Sequence, residues 1–507
     1  MTVYSFNHSL SWANSGVEHA QAYRAKIFQK RGITSKFIFS KMVTENIVHL
    51  GKNMGFAPEQ ILWVYAALTD LPLSLPTYPM ADFISQLPET MIEVSRDDNM
   101  VVFENEQKTL RIEAVYYKEN PGSVHFVNYI GGGKLARKEF YSSKKQYAED
   151  YAVVDDASKV VKRTFFNQDG SVAFIENDGE DARKVYTFPE DHYVCVGHNA
   201  LLRRFFEKNP MTSRDILLLD RDDGEEQLLF ECGKPAKLAI VIHADHYSQE
   251  FTTQDNILWN NFYEHQFQHP EKVDVYIAST DLQSDLFHQQ MLDYNQVDIK
   301  TRTIPVGSLD KLRQPDGERK PFSLMTASRL APEKHIDHLV RAVVEARKTL
   351  PELIFDIYGA GEEAPRIQEV INELGANDYI RLMGYQTMTE IYKDYEVYLT
   401  ASTSEGFGLT LLEAVGSGLP IIGYDVPYGN PTFVRHGENG FLIPHQATDE
   451  EKILVKRLAD AIITYFTESD HAHARDVSYS IAEGYLDEHL EDNWVGFVKE
   501  MLDDTTI

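Results

Sequence analysis

The chain has few cysteines, a shortage of positive charge and no long apolar run, and each shortage removes a class of protein. Only two cysteines, Cys195 and Cys232, occur in 507 residues. That is too few for a disulfide scaffold and fits a reducing compartment. Lys and Arg number 49 against 78 Asp and Glu, a formal net charge of -29. Such a surface repels phosphate backbones, and no basic patch offsets it, so nucleic acid is not an expected partner. Any phosphate-bearing ligand must be met by a few placed cations and helix ends. No apolar run reaches the ~18 residues of a membrane span. The opening MTVYSFNHSLSWANSG carries neither the basic nor the apolar region of a secretory signal. The expectation is a soluble cytoplasmic protein, with peripheral contact at the inner face of the cell membrane left open.

What is present is ordinary globular composition, 43% hydrophobic and 25% charged, in a chain long enough for two to four domains. Val3–Phe6, a polar loop over Asn7–Ser15, a helix over Val17–Arg31 and a strand at Phe37–Phe39 read as one βα unit of a parallel sheet. From about Met91 to Tyr186 the period changes to 2. Runs such as VVFEN, TLRIEAVYY, SVHFVNYI and SVAFIEN alternate, and the clusters NPGS, GGGK and NQDG are read as hairpin turns. This is an inserted antiparallel β domain, offering a surface for an acceptor or partner, or else only bracing the fold. DILLLD, KLAIVIH and VDVYIAS then resume the apolar strands of an α/β domain, which IKTRTIPVGSL closes. FSLMTAS, LIFDIYG, IRLMGY, VYLTAS and LPIIGYD form a second such array, with helices between them. The expected domains are 1–80 with 206–312, the β insertion at 81–205, a nucleotide-sugar-binding domain at 313–485, and a helix at 486–507 packing back on the first domain.

Four places can carry chemistry. Asn14-Ser15-Gly16-Val17-Glu18 fits an S-x-x-E capping box opening a helix, and the amides of Gly16, Val17 and Glu18 sit where an anion can be held. A plain helix cap explains the same residues. Arg329 and Lys334, in SRLAPEK after a strand, supply two cations for a diphosphate. Surface ion pairs are the alternative. Glu405-Gly406-Phe407-Gly408-Leu409 through Glu413 puts one carboxylate in a glycine-rich turn and another in the following helix, as acceptors for sugar hydroxyls. His243-Ala-Asp-His246 ends a strand; two metal ligands are one reading, but no convincing third ligand is nearby, so His243 is read as a hydrogen-bonding group at a cleft floor, with a structural histidine as the alternative. Asp220-Arg-Asp222 resembles a metal-binding D-x-D and is read as an acidic turn, and Gly131-Gly-Gly-Lys134 lacks P-loop spacing.

The Arg329/Lys334 pair and the E-G-F-G-L-x-x-L-E-A segment together resemble the family 4 retaining glycosyltransferases. WANSGVEHAQAYRA, the β insertion, VIHADHYS, IPVGSLDKLR and GYDVPYGNP extend the resemblance over essentially the whole chain. It points to the catalytic subunits that glycosylate serine-rich repeat adhesins in bacterial accessory-Sec systems. Teichoic acid glucosyltransferases acting on poly(glycerol phosphate) share much of the motif set. The resemblance implies a GT-B fold, two Rossmann-like domains facing a cleft, and transfer of N-acetylglucosamine or glucose from a UDP-sugar to Ser/Thr hydroxyls. It also implies roles. Gly16, Val17, Glu18 and His19 would meet the diphosphate from the first domain, Arg329 and Lys334 from the second. Glu405, Gly406, Phe407, Gly408 and Leu409 would hold the sugar, Glu413 the ribose, Gly384 and Tyr385 the uracil, and His243 the sugar's primary hydroxyl. His243, Arg329, Lys334 and Glu405 are the implied catalytic set. A homologous non-catalytic subunit is the implied partner, and no metal is expected. A non-catalytic subunit of the same fold is a third reading, but it would be expected to lose Glu405, Glu413 or Lys334.

Overall fold

The computed structural model describes residues 1–12, 15–154, 156–179, 183–221, 223–446 and 448–503, which divide into two compact units, Met1–Leu238 and Ala239–Ile507. In the first unit, parallel strands stand in the order Ile216–Leu219, Val3–Asn7, Ser35–Phe39 and Ile61–Trp63. Helix Gly16–Lys30 makes the first crossover. Val3, Phe6, Phe37 and Ile38 are fully buried, the reason these strands read as near-continuous apolar runs.

The rest of this unit is dominated by a ten-stranded antiparallel meander, from Met91–Arg96 to Tyr193–Val196, with every strand beside its neighbour in sequence. One face carries a ladder of stacked rings. Phe140 and Tyr147 lie 4.3 Å apart, Tyr147 and Phe165 5.3 Å, Phe165 and Phe174 4.4 Å, and Phe174 and Phe188 5.2 Å. Cross-strand aromatic pairs are among the stronger register determinants of a sheet. Further along the same strands the buried carboxylates of Glu149 and Glu176 share Arg163, at 2.9 and 2.6 Å. GGGK and NQDG are turns, with Gly132 and Gly133 both at positive φ. NPGS is not: Asn120–Gly131 is one strand, and the turn falls at Lys118–Glu119. Its proline and glycine lie in strand residues Asn120–Ser123, so the turn composition was there but one dipeptide late.

In the second unit, strands Lys237–Val241, which begins in the first unit, Val275–Ala278 and Thr301–Thr303 are parallel. A separate six-stranded parallel sheet runs in the order Ile380–Gly384, Ile354–Tyr358, Ser323–Ala327, Val397–Thr400, Ile421–Asp425 and Gly440–Pro444. Numbered along the chain this is 3-2-1-4-5-6, the doubly wound order. Its switch point lies between Ser323–Ala327 and Val397–Thr400, and ligands of such sheets bind beyond the carboxyl ends of those two strands. Helix Ile336–Ala346 buries Leu339, Val340 and Val343 completely, and Leu458 and Ile462 of helix Glu451–Glu468 belong to the same core. Each such side chain contributes roughly 1.5–3 kcal/mol of transfer free energy. Trp494 and Phe497 of the terminal helix Asp487–Asp503 are buried, Glu500 pairs with Arg302 at 3.0 Å, and Asp487 accepts from Ser308 at 2.6 Å. No helix among the described residues is long and apolar enough to cross a membrane.

Candidate functional site

The two strands at the switch point each deliver one end of an ion pair. After Ser323–Ala327 the chain turns through Pro332–Lys334, and after Val397–Thr400 it runs into the loop that holds Glu405. Lys334 Nζ lies 2.8 Å from Glu405 Oε2 and donates to Ser402 Oγ at 3.1 Å. Both side chains are about four-fifths buried, 17% and 20% exposed, a setting that strengthens their attraction without stripping all water. They line a small pocket with Thr326, Ser328, Tyr398, Thr400 and Thr410. Arg329 points outward, 73% exposed, and makes an i,i+4 pair with Glu333 at 3.0 Å. Such an exposed pair is weak, so the guanidinium is readily redirected to a ligand.

The segment after Glu405 divides its labour. Phe407 is core, packed edge-on against Phe433 at 5.2 Å and near Tyr485 at 5.9 Å. Gly408 adopts φ +86 and opens helix Leu409–Gly416 with no side-chain cap. Its first-turn amides are therefore left without a capping side chain, as an anion-holding helix N-terminus requires. Gly406 passes so close to the 243–246 segment that a Cβ would sit 3.0 Å from the His243 carbonyl oxygen. Glu413, one turn into the helix, accepts from Tyr392 Oη at 2.7 Å; burial raises its carboxyl above the ordinary range, and the Tyr392 hydrogen bond works against that. Gly384 has φ +68, its carbonyl accepts from Gly359 N–H at 2.9 Å, and Tyr385 beside it is 85% exposed.

His243 follows strand Lys237–Val241, half-buried, with its backbone N–H donating to Tyr263 Oη at 2.9 Å. Next to it, Asp245 accepts from Ser404 Oγ. Burial raises the Asp245 carboxyl, Ser404 lowers it, and the Glu405 charge raises it again. The metal reading of H-x-x-H fails on His246, which is fully buried with both ring nitrogens engaged, Nε2 on Gln290 at 2.6 Å and Nδ1 on Tyr428 at 3.1 Å.

In the first unit, Ser15 caps helix Gly16–Lys30 as its spacing predicts. Ser15 Oγ takes backbone N–H groups of the first turn, Val17 among them, and donates to Glu18 Oε2 at 2.6 Å. Burial pushes the Glu18 carboxyl up, but hydrogen bonds from Ser15 and Asn7 outweigh it and hold it below the usual range. Gly16 is exposed with open space around it, and His19 is exposed on the same turn. Arg221 reaches this cap, 3.2 Å from Ser15 Oγ. Asn14 lies outside the described residues, as does Asp222 of the D-x-D. Asp220 is consumed structurally: buried, it accepts from Gln21 at 2.8 Å and pairs with Arg24.

Sequence reasoning missed Ser402, Ser404, Asp245, Arg221, Tyr392 and Tyr428. Their partners lie up to 206 positions away, a separation no local pattern encodes. The Gly359-Ala-Gly361 turn was legible in principle. Any Cβ at Gly359 would fall 1.8 Å from Ser328 O, and one at Gly361 2.2 Å from Leu330 O, so glycine lets this turn lie against the Ser328–Leu330 loop.

Residues 310–474 match the family of glycosyl transferases group 1, and residues 93–190 match the GtfA extended beta-sheet domain. The chain is 46% identical, over 99% of its own length and 100% of the relative's, to the UDP-N-acetylglucosamine–peptide N-acetylglucosaminyltransferase GtfA subunit of Streptococcus parasanguinis. It superposes on the crystal structure of the pneumococcal O-GlcNAc transferase GtfA in complex with UDP and GlcNAc with a TM-score of 0.91, at 42% identity over 99% of both chains. For the crystal structure of the GtfA/B complex the values are 0.92, 41%, and 99% and 100% of the two chains. The poly(glycerol-phosphate) alpha-glucosyltransferase of Bacillus subtilis matches only 36% of this chain, at 32% identity. The doubly wound sheet with an ion pair at its switch point, read with these matches, is that of a GT-B glycosyltransferase with an antiparallel insertion. Within that class the chain belongs to the GtfA subunit family.

Proposed function

We propose that this chain transfers N-acetylglucosamine from UDP-GlcNAc to Ser or Thr hydroxyls of a serine-rich acceptor protein in the cytoplasm, with retention at the anomeric carbon. It works as a hetero-oligomer with a homologous GtfB subunit. The observation that carries the reading is the Lys334–Glu405 pair at the switch point, 2.8 Å between charged atoms.

In this reading Lys334, joined by Arg329, holds the donor diphosphate and stabilises the charge that develops on it as the glycosidic bond breaks. The uncapped helix start at Gly408–Leu409 supplies amides to the same anion. Glu405 holds the sugar and, through its charge, places Lys334. Glu413 accepts from the ribose hydroxyls, and Gly384 and Tyr385 meet the uracil. His243 binds the primary hydroxyl of the sugar. The acceptor hydroxyl attacks from the face that UDP leaves, and a phosphate oxygen takes its proton, so no carboxylate base is assigned. No metal is assigned either: Lys334, Arg329 and the Gly408–Leu409 amides are the groups this reading gives to the diphosphate charge.

The test is mass spectrometry of a serine-rich peptide incubated with the chain, with and without its partner subunit, and with UDP-GlcNAc or UDP-glucose. HexNAc added in a chelator supports the reading. Hexose on poly(glycerol phosphate) alone, or strict dependence on a divalent cation, contradicts it.

A further inference from the structure

The His243 loop is more firmly fixed than a loop offering one side chain to a sugar needs to be. His243 N–H donates to Tyr263 Oη at 2.9 Å, Gln283 Nε2 donates to the Ala244 carbonyl at 2.9 Å, Asn260 Nδ2 to the Asp245 carbonyl at 2.7 Å, and Asn260 N–H to the His246 carbonyl at 2.9 Å. With the backbone nailed down, its two remaining polar side chains reach the Glu405 segment, Asp245 through Ser404 and His246 by way of Tyr428. Asp245 accepts from Ser404 Oγ, and Ser404 is the residue immediately before Glu405. His246 Nε2 meets the Gln290 amide oxygen, which fixes the proton there and leaves Nδ1 to accept from Tyr428 Oη. The His246 and Tyr428 rings also stack, 5.7 Å apart at 25°. Tyr428 in turn is tied to Glu405: N–H groups of Tyr428 and Gly429 donate to the Glu405 carbonyl at 2.8 and 2.7 Å.

We propose that Asp245 and His246 are positioning residues, forming a two-point latch that sets the spacing between the His243 loop and the Ser404–Gly406 turn before the donor arrives. The proposal rests on the donor reading above. One point of the latch lies directly N-terminal to Glu405, and the other holds Tyr428, whose backbone N–H bonds the Glu405 carbonyl, so the turn is held from two sides. Gly406 is the complement of this closeness, since a side chain there would press on the His243 carbonyl. The Lys334 chain joins the same network through Ser402, whose Oγ donates to the Ser404 carbonyl at 2.9 Å. A latch of this kind acts on the geometry of the reacting sugar rather than on the grip upon the diphosphate, and misplacement by about 1 Å costs on the order of 100-fold in rate.

The experiment compares the full chain with Ser404→Ala, Ser404→Thr and Tyr428→Phe, each with the partner subunit, UDP-GlcNAc and a serine-rich peptide. Calorimetry with UDP is run alongside. Ser404→Ala and Tyr428→Phe are expected to lower kcat by about 10- to 100-fold while UDP affinity stays near that of the parent. Ser404→Thr keeps the hydroxyl and recovers most of the loss. Unchanged kcat in both folded variants, equal loss in Ser404→Thr and Ser404→Ala, or UDP affinity falling in step with kcat would overturn the latch. Amide hydrogen exchange over residues 404–409 without substrate tests it independently of the reaction: faster exchange in Ser404→Ala is expected, and unaltered exchange contradicts it. A parent chain that transfers no sugar from UDP-GlcNAc would overturn the function instead, leaving the exchange result to decide the latch.

Discussion

Two helix N-termini in this chain look alike in sequence and differ in what they leave available. Helix Gly16–Lys30 and helix Leu409–Gly416 both follow a parallel strand, with a glycine as the first helical residue of one and as the N-cap of the other. At the first, Ser15 consumes amides of the opening turn and Glu18 places a carboxylate, held ionised, on that turn. At the second, Gly408 in the left-handed region makes the turn without any capping side chain, and the nearby charged groups are the ion pair of Lys334 and Glu405. The first N-terminus is capped by its own side chains and adds Arg221; the second has no capping side chain, and within its first turn Leu411 N–H donates to the Gly408 carbonyl at 2.9 Å. An S-x-x-E signature therefore indicates where a helix starts, whereas a helix opened by glycine alone leaves its first turn without a capping side chain, which is where the proposed function puts the donor's anion.

The largest effect should come from the second N-terminus. Glu405→Ala removes the partner of Lys334 and the acceptor for the sugar, and transfer measured by mass spectrometry is expected to fall by about 100- to 1000-fold with unchanged circular dichroism. Wild-type rates in a folded variant would show the two helix starts to be equivalent.

The parts of this comparison that were legible in the sequence are those written locally. Strands such as Ile216–Leu219 and Ser323–Ala327 announced themselves because both faces are buried, and the period-2 runs of the insertion because its faces differ. Ile61–Trp63 was too short to stand out, and Gly440–Pro444, an edge strand bounded by glycine and proline, has the composition of a turn. The E-G-F-G-L segment and Lys334 were found because strand-end turns with charge are informative. Their supports were not: Ser404 to Asp245 and Tyr428 to His246 join residues 159 and 182 positions apart, and only folding reveals them.

A smaller effect sharpens the conformational half of the comparison. Gly408→Ala forces a Cβ at φ +86 and within 2.6 Å of Leu411 Cδ1. It is expected to cost about 1 kcal/mol or more of stability and roughly tenfold in transfer through tilted amides, read from a thermal melt and a rate assay. Ser15→Ala should show a similar loss of stability, about 1 kcal/mol of cap energy, with little change in rate. If Ser15→Ala abolished transfer at unchanged melting temperature, the helix start at Gly16 would be the ligand site.

The smallest effect is a pH dependence. Because the native Glu18 carboxyl titrates below its ordinary value of 4.5, its contribution is present above about pH 4.5 and is lost as pH falls through the lowered native value. The melting-temperature gap between the parent and Glu18→Gln should therefore narrow on acidification. A gap that widens would reverse the sign.

The central claim concerns Lys334. UDP titrated calorimetrically into folded Lys334→Ala, with peptide glycosylation followed in parallel, tests it most directly. Weakened UDP binding together with no detectable N-acetylglucosamine on the peptide is the predicted result. Parental UDP affinity and full transfer would contradict the assignment of the switch-point cation to the departing diphosphate.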